Sequence, residues 1–370
     1  MIYSADRIFD GDQWRTEALL VKDGRVQEFV SPGALPAGGP QRRFPGCVLV
    51  PAFLDLQVYG AGGRLFAAYP DAESLRVLEA ECRRGGAALA LPTVATNTPE
   101  VVRRCLEAFR NYKEAGGIFL PGLHLEGPWI HPERRGAHIE ACIHPPTMPE
   151  VVALLEAGRG IIRMITLAPE RCDAALIRYI QEQGITVSAG HSNATFEEAA
   201  AAFDAGIGAV THLYNAMSGL QHRAPGLVGA AFLHHRVRAS IIPDGLHVSW
   251  EALRIAKRQL GDRLFAITDA VTETDTGAYP HTLTNGDHYT ANGILSGSAL
   301  TMHKAFQNLV RHAGIAPEEA LRMCGRYPAE VLGLEKELGL LQPGSRAAML
   351  VLDAHWELVE VLPAEAAGSV

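Results

Sequence analysis

The amino-acid sequence predicts an α/β fold whose main domain is a (β/α)8 barrel. Eight short apolar runs, each ending in glycine or polar residues, recur along the middle of the chain. Stretches whose apolar residues repeat at three- and four-residue spacing, as in amphipathic helices, separate these runs. Strands that alternate with helices form a parallel sheet, and eight of them suit a closed barrel. We therefore predict that the barrel spans residues 51–335.

The two ends of the chain predict a second, smaller unit built from strands. Near the start, ALLVKDGRVQEFV alternates apolar and polar residues on either side of Asp23-Gly24, which is the pattern of a β-hairpin. Near the end, LGLLQPGSRAAMLVLD places a turn at Pro343-Gly344 before an apolar strand. We predict that these ends pair, so that residues 1–50 and 336–370 form one small β domain.

The composition is that of an ordinary globular protein, and it restricts the partners. Apolar residues make up 48% of the 370 residues and charged residues 20%, which is enough for a large core. The formal net charge of −8 disfavours a nucleic acid or an anionic membrane as the main partner, because both attract basic surfaces. A small anionic substrate needs only a local cationic pocket and remains compatible with this charge.

The start of the chain and its cysteines favour the cytoplasm. The segment MIYSADRIFDGDQW carries acidic residues and lacks the apolar core of a signal peptide. No run of about 18 apolar residues predicts a membrane span. The six cysteines are scattered without a CxxC pair, which favours buried thiols over a disulfide framework.

Six polar side chains stand where predicted strands end. Barrel enzymes build their active sites at the C-terminal ends of the strands, and buried strands have no structural use for histidine or glutamate there. One such residue alone is more often a hydrogen-bonded loop residue, but six together indicate a site. The six residues are Gln57, Glu126, His191, His212, His247 and Asp269.

Three of these residues predict a metal site. Glu126, His191 and His212 supply one carboxylate and two imidazoles, which suit a divalent ion and leave a position for water. Water bound in this way becomes a nucleophile near neutral pH. The three residues are far apart in sequence, so this prediction depends on the barrel. We expect Zn²⁺, although Fe²⁺, Mn²⁺ and Co²⁺ accept the same ligands.

Asp269, near the end of the run LFAITDA, is the candidate general base and acid. A carboxylate at a late strand tip can take a proton from metal-bound water and pass it to a leaving nitrogen. The alternative is a structural role, in which its side chain caps the following segment through an Asx turn.

Two further segments predict contacts with an anionic substrate. Asn215 and Arg223 lie in THLYNAMSGLQHRAPG, and His247 ends DGLH. An arginine fork binds phosphate through two parallel hydrogen bonds, and the alternative for Arg223 is a solvated loop charge. LSGS at 295–298 predicts a tight turn before a helix, where free amides hold a ligand oxygen or a serine caps the helix.

These motifs resemble those of the N-acetylglucosamine-6-phosphate deacetylases of the amidohydrolase superfamily. The resemblance covers nearly the whole chain in collinear order. It is specific, because HLEGP, GHSNAT, THLYNAM and DGLH in this order are not shared with dihydroorotases or ureases. The matching segments are PAFLDLQVYGAGG, LHLEGPWIHPERRGAH, SAGHSNATFEEA, THLYNAMSGLQHRAPGLVGA, IIPDGLHV, ITDA, LSGSALTMHKA and LGLLQPGSRAAMLVLD.

The resemblance implies a fold, an assembly and roles for named residues. It implies a TIM-type barrel with a small β-sandwich domain formed by both termini, and a homodimer. The family's metal ligands match Glu126, His191 and His212, and its catalytic acid/base matches Asp269. Its substrate-binding positions, some of which hold the sugar phosphate across the dimer interface, match Ala137, His138, Asn215, Ala216, Arg223, His247, Leu295, Ser296 and Gly297.

Two segments depart from the pattern of the resembling proteins. Many amidohydrolases carry His-x-His after the first strand and bind a second metal there, whereas this chain has Gln57-Val58-Tyr59. Glutamine is a poor zinc ligand, which favours one metal ion per subunit. Tyr59 either packs or touches the substrate, so Gln57 and Tyr59 are candidate pocket residues. The loop at 270–279 is more polar than the resemblance implies, and it is a candidate for tuning sugar preference.

The sequence thus predicts an enzyme that hydrolyses the acetamide of N-acetylglucosamine 6-phosphate to glucosamine 6-phosphate and acetate. Metal-bound water is the expected nucleophile and Asp269 the expected base and acid. Two alternatives stay open. One is a deacetylase of another N-acyl substrate, such as N-acetylgalactosamine 6-phosphate or an N-acyl amino acid. The other is a non-catalytic barrel that binds a sugar phosphate.

Overall fold

Parallel strands and helices alternate through the centre of the chain. The computed structural model describes residues 1–31, 40–291 and 293–362. An eight-stranded parallel sheet forms a nearly closed barrel with helices around it, and a separate sheet is built from both ends of the chain. Within these ranges no helix is long and apolar enough to cross a membrane.

The elements follow in chain order. The strands are β1 Ile2–Phe9, β2 Trp14–Arg15, β3 Ala18–Lys22, β4 Arg25–Val30, β5 Gln41–Pro51, β6 Phe53–Val58, β7 Gly60–Ala61, β8 Arg64–Leu65, β9 Ala87–Ala95, β10 Leu123–Glu126, β11 Ile162–Leu167, β12 Thr186–Ala189, β13 Ala209–Val210, β14 Arg238–Ile241, β15 Leu264–Ala266, β16 Thr282–Thr284, β17 His288–Ala291, β18 Ile294–Ser298, β19 Met349–Asp353 and β20 Leu358–Leu362. The α-helices are α1 Ala72–Arg84, α2 Pro99–Glu114, α3 Met148–Ala157, α4 Ala174–Glu182, α5 Phe196–Asp204, α6 Gly226–Leu233, α7 Trp250–Leu260, α8 Met302–Arg311, α9 Pro317–Cys324 and α10 Arg326–Val331.

The barrel consists of β6 and β9 to β15, which correspond to the eight apolar runs. Each strand lies parallel to the next one around the sheet. The first and last strands meet just beyond their C-terminal ends. There the Asp269 N–H donates to the Gln57 carbonyl at 3.0 Å, and the Tyr59 N–H donates to the Ala270 carbonyl at 2.9 Å. The predicted (β/α)8 barrel is confirmed.

The barrel strands are apolar on both faces because both faces are buried. All nine residues of β9 are buried, since the strand lies between the barrel interior and the surrounding helices. Parallel strands in such a setting appear in the sequence as continuous apolar runs rather than as alternating patterns. This burial is the physical reason that the runs identify the strands.

The helices begin at capping residues that the sequence supplies. Asp71, Thr98 and Ser249 accept backbone N–H bonds at the starts of α1, α2 and α7. α5 begins with a capping box formed by Thr195 and Glu198. α2, α5 and α7 each follow a barrel strand, and α1 follows the β7–β8 pair after β6, so the caps help to fix the loops at the C-terminal end of the barrel.

Both ends of the chain join one seven-stranded sheet, as predicted. β19 lies antiparallel to β5, and β5 lies parallel to β1. Asp23 and Gly24 turn the β3–β4 hairpin with φ of 51° and 69°, which are the left-handed values that a two-residue turn of this kind requires.

The division of the chain into domains stays a prediction. A single residue separates β5 of the terminal sheet from β6 of the barrel, so the chain passes directly between the two sheets. The division assigns residues 1–50 and 336–370 to the terminal domain and 51–335 to the barrel. Residues 32–39 and 363–370 of the terminal domain lie outside the described residues.

Three antiparallel strands, β16 to β18, are inserted between β15 and α8 at the C-terminal end of the barrel. The predicted tight turn at 295–298 is wrong, because this segment lies within β18 and pairs with β17. The predicted helix cap by Ser296 or Ser298 is also wrong, since Thr301 is the N-cap of α8. The backbone partners of β18 come from β17 and from the barrel, and LSGS alone gives no signal of them.

Candidate metal centre and active site

Most of the candidate residues surround one cavity of about 300 Å³ at the C-terminal end of the barrel. Those that line it are Tyr59, Glu126, Ala137, His138, His191, His212, Asn215, Ala216, His247, Asp269, Leu295 and Ser296. Three candidates do not line it. Gln57 lies behind Glu126, Gly297 is buried in β18, and Arg223 is exposed outside the cavity.

Glu126, His191 and His212 form a compact cluster of the kind that binds a divalent metal. His212 Nε2 lies 3.0 Å from Glu126 Oε1 and 3.1 Å from His191 Nε2. His191 Nε2 lies 3.3 Å from Glu126 Oε1. Ligands at about 2.0–2.1 Å from one zinc ion in tetrahedral directions lie about 3.3 Å apart. The three atoms therefore fit one face of a coordination tetrahedron.

Backbone geometry directs both histidines toward this cluster. His191 and His212 follow β12 and β13 with φ of 47° and 36°, left-handed values that such residues rarely adopt. Strain of this kind is typical of functional sites. His191 Nδ1 donates to the Arg134 carbonyl at 2.8 Å, so Nε2 keeps its lone pair for the cluster. The His212 backbone N–H donates to Ser240 Oγ at 2.8 Å.

Glu126, the last residue of β10, is held through both carboxylate oxygens. Oε1 faces the histidines and accepts from Gln57 Nε2 at 2.9 Å. Oε2 accepts from the Tyr59 hydroxyl and from His138 Nε2, the latter at 3.1 Å. Burial opposes the charged form, but the adjacent His191 and the hydrogen bonds from the imidazoles lower the pKa of Glu126 well below its usual range. The side chain therefore remains an anion, as a metal ligand must.

Gln57 and Tyr59 form one hydrogen-bonded unit with Glu126. Gln57 Nε2 donates to the Tyr59 hydroxyl at 2.7 Å as well as to Glu126. Burial and the charges of Glu126 and Asp269 raise the pKa of the Tyr59 phenol well above its usual value, so the phenol keeps its proton. Tyr59 thus acts as a hydrogen-bond donor at the wall of the cavity, and Gln57 supports it from behind.

His138 is a neutral donor beside the cluster. Its Nδ1 receives the Thr96 backbone N–H at 3.3 Å and lies 2.7 Å from Thr96 Oγ1. Because a backbone N–H can only donate, the ring proton sits on Nε2, which faces Glu126. Burial and the adjacent His191 lower the pKa of His138 to about 4, so the ring is uncharged at neutral pH.

Asp269 brings a carboxylate oxygen without a partner to the cavity. Its φ is 54°, and its backbone is fixed by bonds to the Gln57 carbonyl and, at 3.1 Å, to the Ser298 N–H. Oδ1 is buried and has no hydrogen-bond partner among the described residues. Burial and the charge of Glu126 raise the pKa of Asp269 well above its usual value.

The side chain of Asp269 does not cap the following segment. The Ala270 N–H donates to Thr268 Oγ1 at 3.2 Å, and the Val271 N–H donates to the Ser298 carbonyl at 3.2 Å. The carboxylate is therefore available for proton transfer. A raised pKa suits a group that must hold a proton during a reaction.

Asn215, Ala216 and His247 line a second part of the cavity, beyond the ends of β13 and β14. Asn215 Nδ2 makes only long hydrogen bonds, of 3.4 Å, to the carbonyl oxygens of His212 and Leu213. His247 Nδ1 lies 2.5 Å from Asp244 Oδ2, which fixes the ring and leaves Nε2 for a ligand. These groups can hold an anion with little rearrangement.

Arg223 lies outside the cavity of its own chain. It is exposed in the loop before α6, and it makes no hydrogen bond or ion pair with any residue that the structure describes. An anion bound in this cavity therefore meets Asn215 and His247 but not Arg223 of the same chain.

Several residues that line the cavity are absent from the sequence-based candidates. Arg134, Tyr279 and His281 line the cavity together with the predicted residues. Tyr279 donates its hydroxyl to the Thr96 carbonyl and so fixes the loop against the barrel. The unusual polarity of the loop at 270–279 is the signal for this region, but it does not indicate which side chains face the cavity.

Comparison with known proteins links this site to one family of hydrolases. The profile of the amidohydrolase family matches residues 48–366. An N-acetylgalactosamine-6-phosphate deacetylase from Escherichia coli O157:H7 is 34% identical over 85% of this chain and 86% of its own. An N-acetylglucosamine-6-phosphate deacetylase from Haemophilus influenzae is 32% identical over 94% of this chain and 93% of its own.

Solved structures of N-acetylglucosamine-6-phosphate deacetylases are similar to this chain over nearly its whole length. The N-acetylglucosamine-6-phosphate deacetylase from Pasteurella multocida superposes with a TM-score of 0.92 at 30% identity over 98% of both chains. A mutant of the Mycobacterium smegmatis deacetylase in complex with N-acetyl-D-glucosamine-6-phosphate gives a TM-score of 0.90 at 31% identity, again over 98% of both chains. The agreement extends over both the barrel and the terminal sheet.

Proposed function

The chain belongs to the amidohydrolase family, and we propose that it hydrolyses the acetamide of N-acetylglucosamine 6-phosphate to glucosamine 6-phosphate and acetate. Relatives and solved structures named for this activity cover nearly the whole chain. One geometric observation carries the proposal: three side chains that can bind a metal and an unpartnered carboxylate oxygen of Asp269, Oδ1, meet at a single cavity. A barrel that only bound sugar phosphate would have no use for that carboxylate.

Glu126, His191 and His212 would hold one divalent ion. Their spacing fits a tetrahedral face, and one oxygen with two nitrogen donors favours zinc. Bound there, the ion supplies Lewis acidity, which polarises a carbonyl oxygen and makes water nucleophilic near neutral pH. Gln57 and Tyr59 donate to Glu126 instead of offering ligand atoms of their own, which supports one ion per subunit.

Asp269 moves the proton that the reaction requires. Oδ1 accepts a proton from the attacking water, whose oxygen adds to the acetyl carbon. The raised pKa lets the carboxyl hold this proton until the bond between carbon and nitrogen breaks. The proton then passes to the leaving nitrogen as the C–N bond breaks. The acetic acid that forms releases the second proton of the water to the amine or to solvent, so the products are acetate and the amino sugar.

His138 positions Glu126 and provides a hydrogen-bond donor at the acetyl end of the cavity. Its Nε2–H faces Glu126 Oε2 at 3.1 Å, and its Nδ1 is fixed by Thr96. Because the ring is neutral, it adds no positive charge that would compete with a bound cation. If this single N–H turned from Glu126 to the substrate, it would stabilise the negative charge that develops on the acetyl oxygen.

The phosphate end of the site is completed, in this proposal, by a second copy of the chain. Asn215, Ala216 and His247 face the cavity from within the subunit. Arg223 is exposed outside it and has no partner among the described residues. In a homodimer the Arg223 guanidinium would reach the phosphate bound in the other subunit, where its fork can make two parallel hydrogen bonds.

The remaining polar contacts belong to the sugar between the two ends. Ala137, Leu295 and Ser296 line the cavity there, while Gly297 supports them from within β18. N-acetylgalactosamine 6-phosphate is the second candidate substrate, because the relative from Escherichia coli O157:H7 that is named for it is 34% identical. We favour the glucosamine epimer because the structures with TM-scores of 0.92 and 0.90 are named for it.

Acetate release from a small panel of sugars tests this proposal. Zinc-loaded protein is supplied with N-acetylglucosamine 6-phosphate, its galactosamine epimer and unphosphorylated N-acetylglucosamine, and bound metal is counted per subunit. We expect one metal ion and the highest kcat/KM on N-acetylglucosamine 6-phosphate. A higher kcat/KM on the galactosamine epimer would overturn the sugar assignment. Metal-loaded protein that releases acetate from neither phosphorylated sugar would overturn the deacetylase assignment.

A further inference from the structure

His281 is a fixed side chain at the wall of the cavity that the proposed mechanism does not use. It lies just before β16 in the inserted segment, and it is 4% exposed. Its backbone is held on both sides by Thr274, whose N–H donates to the His281 carbonyl at 3.1 Å and whose carbonyl accepts the His281 N–H at 2.9 Å. The insert thus places this imidazole at a defined position.

One ring nitrogen of His281 is bonded and the other is free. Nδ1 lies 2.9 Å from Ser296 Oγ, and Ser296 lines the cavity as well. Nε2 has no hydrogen-bond partner among the described residues, although the ring faces the cavity. A ring nitrogen that is left unpaired at a cavity wall can bond water or a ligand that enters the cavity.

The ring offers a single directed hydrogen bond. Burial lowers the pKa of His281 to about 4, so the imidazole is neutral at physiological pH. A neutral imidazole has one N–H and one lone pair, and Ser296 uses one of the two. Nε2 therefore matches a hydroxyl group, which can both donate and accept.

We propose that His281 is a specificity-determining residue whose Nε2 hydrogen-bonds a ring hydroxyl of the bound amino sugar. This inference rests on the proposed function. The proposed function places the acetamide at the candidate metal site and the phosphate at Asn215 and His247. The polar groups of the sugar left for the wall between them are the hydroxyls on carbons 1, 3 and 4 and the ring oxygen, and of these only the hydroxyls can both donate and accept. β18, which carries Ser296, also binds the Asp269 backbone through Ser298, so this wall borders the reacting end.

A cycle of variants and deoxy sugars tests this contact. The substrates are N-acetylglucosamine 6-phosphate and its 1-deoxy, 3-deoxy and 4-deoxy analogues, and the proteins are wild type, His281→Leu and His281→Gln. In wild type, we expect that removal of one of the three hydroxyls lowers kcat/KM about 10- to 100-fold. In His281→Leu, kcat/KM for the parent sugar should fall by a similar factor. The same deoxy analogue should then be hydrolysed by this variant with the same kcat/KM as the parent sugar.

Two comparisons separate this contact from a general effect on the fold. Glutamine can place its amide near the position of Nε2, so His281→Gln should recover part of the lost kcat/KM on the parent sugar. His288→Leu is the matched control, because His288 lies in the same insert and, within the described residues, its side chain bonds Asp287 at 2.6 Å and does not line the cavity. This variant should leave all four kcat/KM values within about twofold of wild type.

The assignment fails if each deoxy sugar lowers kcat/KM, relative to the parent sugar, by the same factor in wild type and in His281→Leu. It also fails if His281→Leu hydrolyses the parent sugar at the wild-type kcat/KM. Calorimetric binding of the same four sugars to the metal-loaded proteins gives the same cycle without turnover. If wild type releases no acetate, the proposed function fails. The His281 contact is then judged separately, and it is overturned if removal of each hydroxyl weakens binding equally in wild type and in His281→Leu.

Discussion

The two ends of the cavity differ in how completely a single chain holds them. At the metal end, Glu126 is 1% exposed and receives hydrogen bonds on both oxygens, and His191 is fixed through its second nitrogen. At the phosphate end, the Asn215 side chain makes only 3.4 Å hydrogen bonds, and Arg223 has no partner, in the part of the chain that the structure describes. In the proposed function, the end at which bonds break is thus pre-organised by one chain. The end that would grip the phosphate would be completed by the ligand and by a second subunit.

A buried polar network supports the metal end from inside the barrel. His124 Nε2 lies 2.7 Å from Thr166 Oγ1, which lies 2.7 Å from Thr211 Oγ1. Ser188 Oγ continues the chain at 2.6 Å from Thr211 Oγ1, and His124 Nδ1 donates to the Leu56 carbonyl at 3.0 Å. Several of these residues lie one or two positions before the candidate ligands and their supports, so the network fixes the strand ends that carry the site.

The largest effect should come from removing a candidate ligand at the metal end. We expect His212→Ala to lose the bound metal and to lower kcat/KM by about 10⁴-fold, because Lewis acid stabilisation supplies several kcal/mol. Metal analysis after gel filtration and acetate release measure the two effects. His222→Ala is the control, since His222 is an exposed histidine in the loop before α6 and does not line the cavity. Full metal content in His212→Ala would show that His212 is not a metal ligand, and the metal end would then not be pre-organised in the way described.

Asp269→Asn should remove proton transfer while leaving the cluster intact. We expect kcat to fall about 10³-fold with metal content unchanged, because general acid–base catalysis contributes on the order of 10² to 10⁴. Acetate release and metal counting on the same preparation check both statements. The exposed Asp262 provides the matched variant Asp262→Asn, which should keep wild-type kcat. Wild-type kcat in Asp269→Asn would exclude Asp269 from the mechanism.

Local patterns predict the barrel and the metal cluster because each depends on a strong sequence signal. Continuous apolar runs mark strands that are buried on both faces, and the polar residue at the end of each run then lies at one end of the barrel. Glu126, His191 and His212 follow such runs, so the prediction of the fold brings the three side chains together. The Asp23-Gly24 hairpin is predicted because its turn requires residues that tolerate positive φ.

The remaining features depend on contacts between segments that are distant in sequence. LSGS contains turn-forming residues, yet it becomes a strand because β17 pairs with it. The role of Tyr59 depends on the position of Glu126, which lies 67 residues away along the chain. His281 faces the cavity only because Thr274 and Ser296 fix it there. None of these pairings leaves a periodic signal in the sequence.

At the phosphate end, Arg223→Ala should weaken the grip without affecting the metal. We expect KM for N-acetylglucosamine 6-phosphate to rise about 10- to 100-fold, since a bond between a guanidinium and a phosphate is worth about 1.5–3 kcal/mol. Unphosphorylated N-acetylglucosamine should be hydrolysed as slowly as by wild type. Arg178→Ala is the control, because Arg178 is an exposed arginine on α4. An unchanged KM would show that the phosphate end is complete within one chain.

Mixed subunits sharpen the same comparison. If Arg223 acts on the neighbouring site, a heterodimer of Arg223→Ala and Asp269→Asn contains one site with both groups intact. After the two variants exchange subunits at equal amounts, about a quarter of all sites should be functional, as random pairing of subunits in a twofold dimer requires. Activity that stays at the sum of the two separate variants would place Arg223 in its own site or outside catalysis.

The smallest predicted effect concerns the Tyr59 hydroxyl, which holds Glu126 without being a ligand. Tyr59→Phe removes one donor from Oε2, and we expect metal affinity to fall about 10-fold, the lower bound for groups that support a ligand. Competition with a chelating dye measures the affinity. Tyr279→Phe is matched to it, because Tyr279 lines the same cavity but bonds the Thr96 carbonyl instead of Glu126. Equal metal affinity in the two variants would mean that the hydrogen bond from Tyr59 to Glu126 Oε2 does not pre-organise the metal end. The difference in pre-organisation between the two ends would then depend only on Glu126, His191 and His212 themselves.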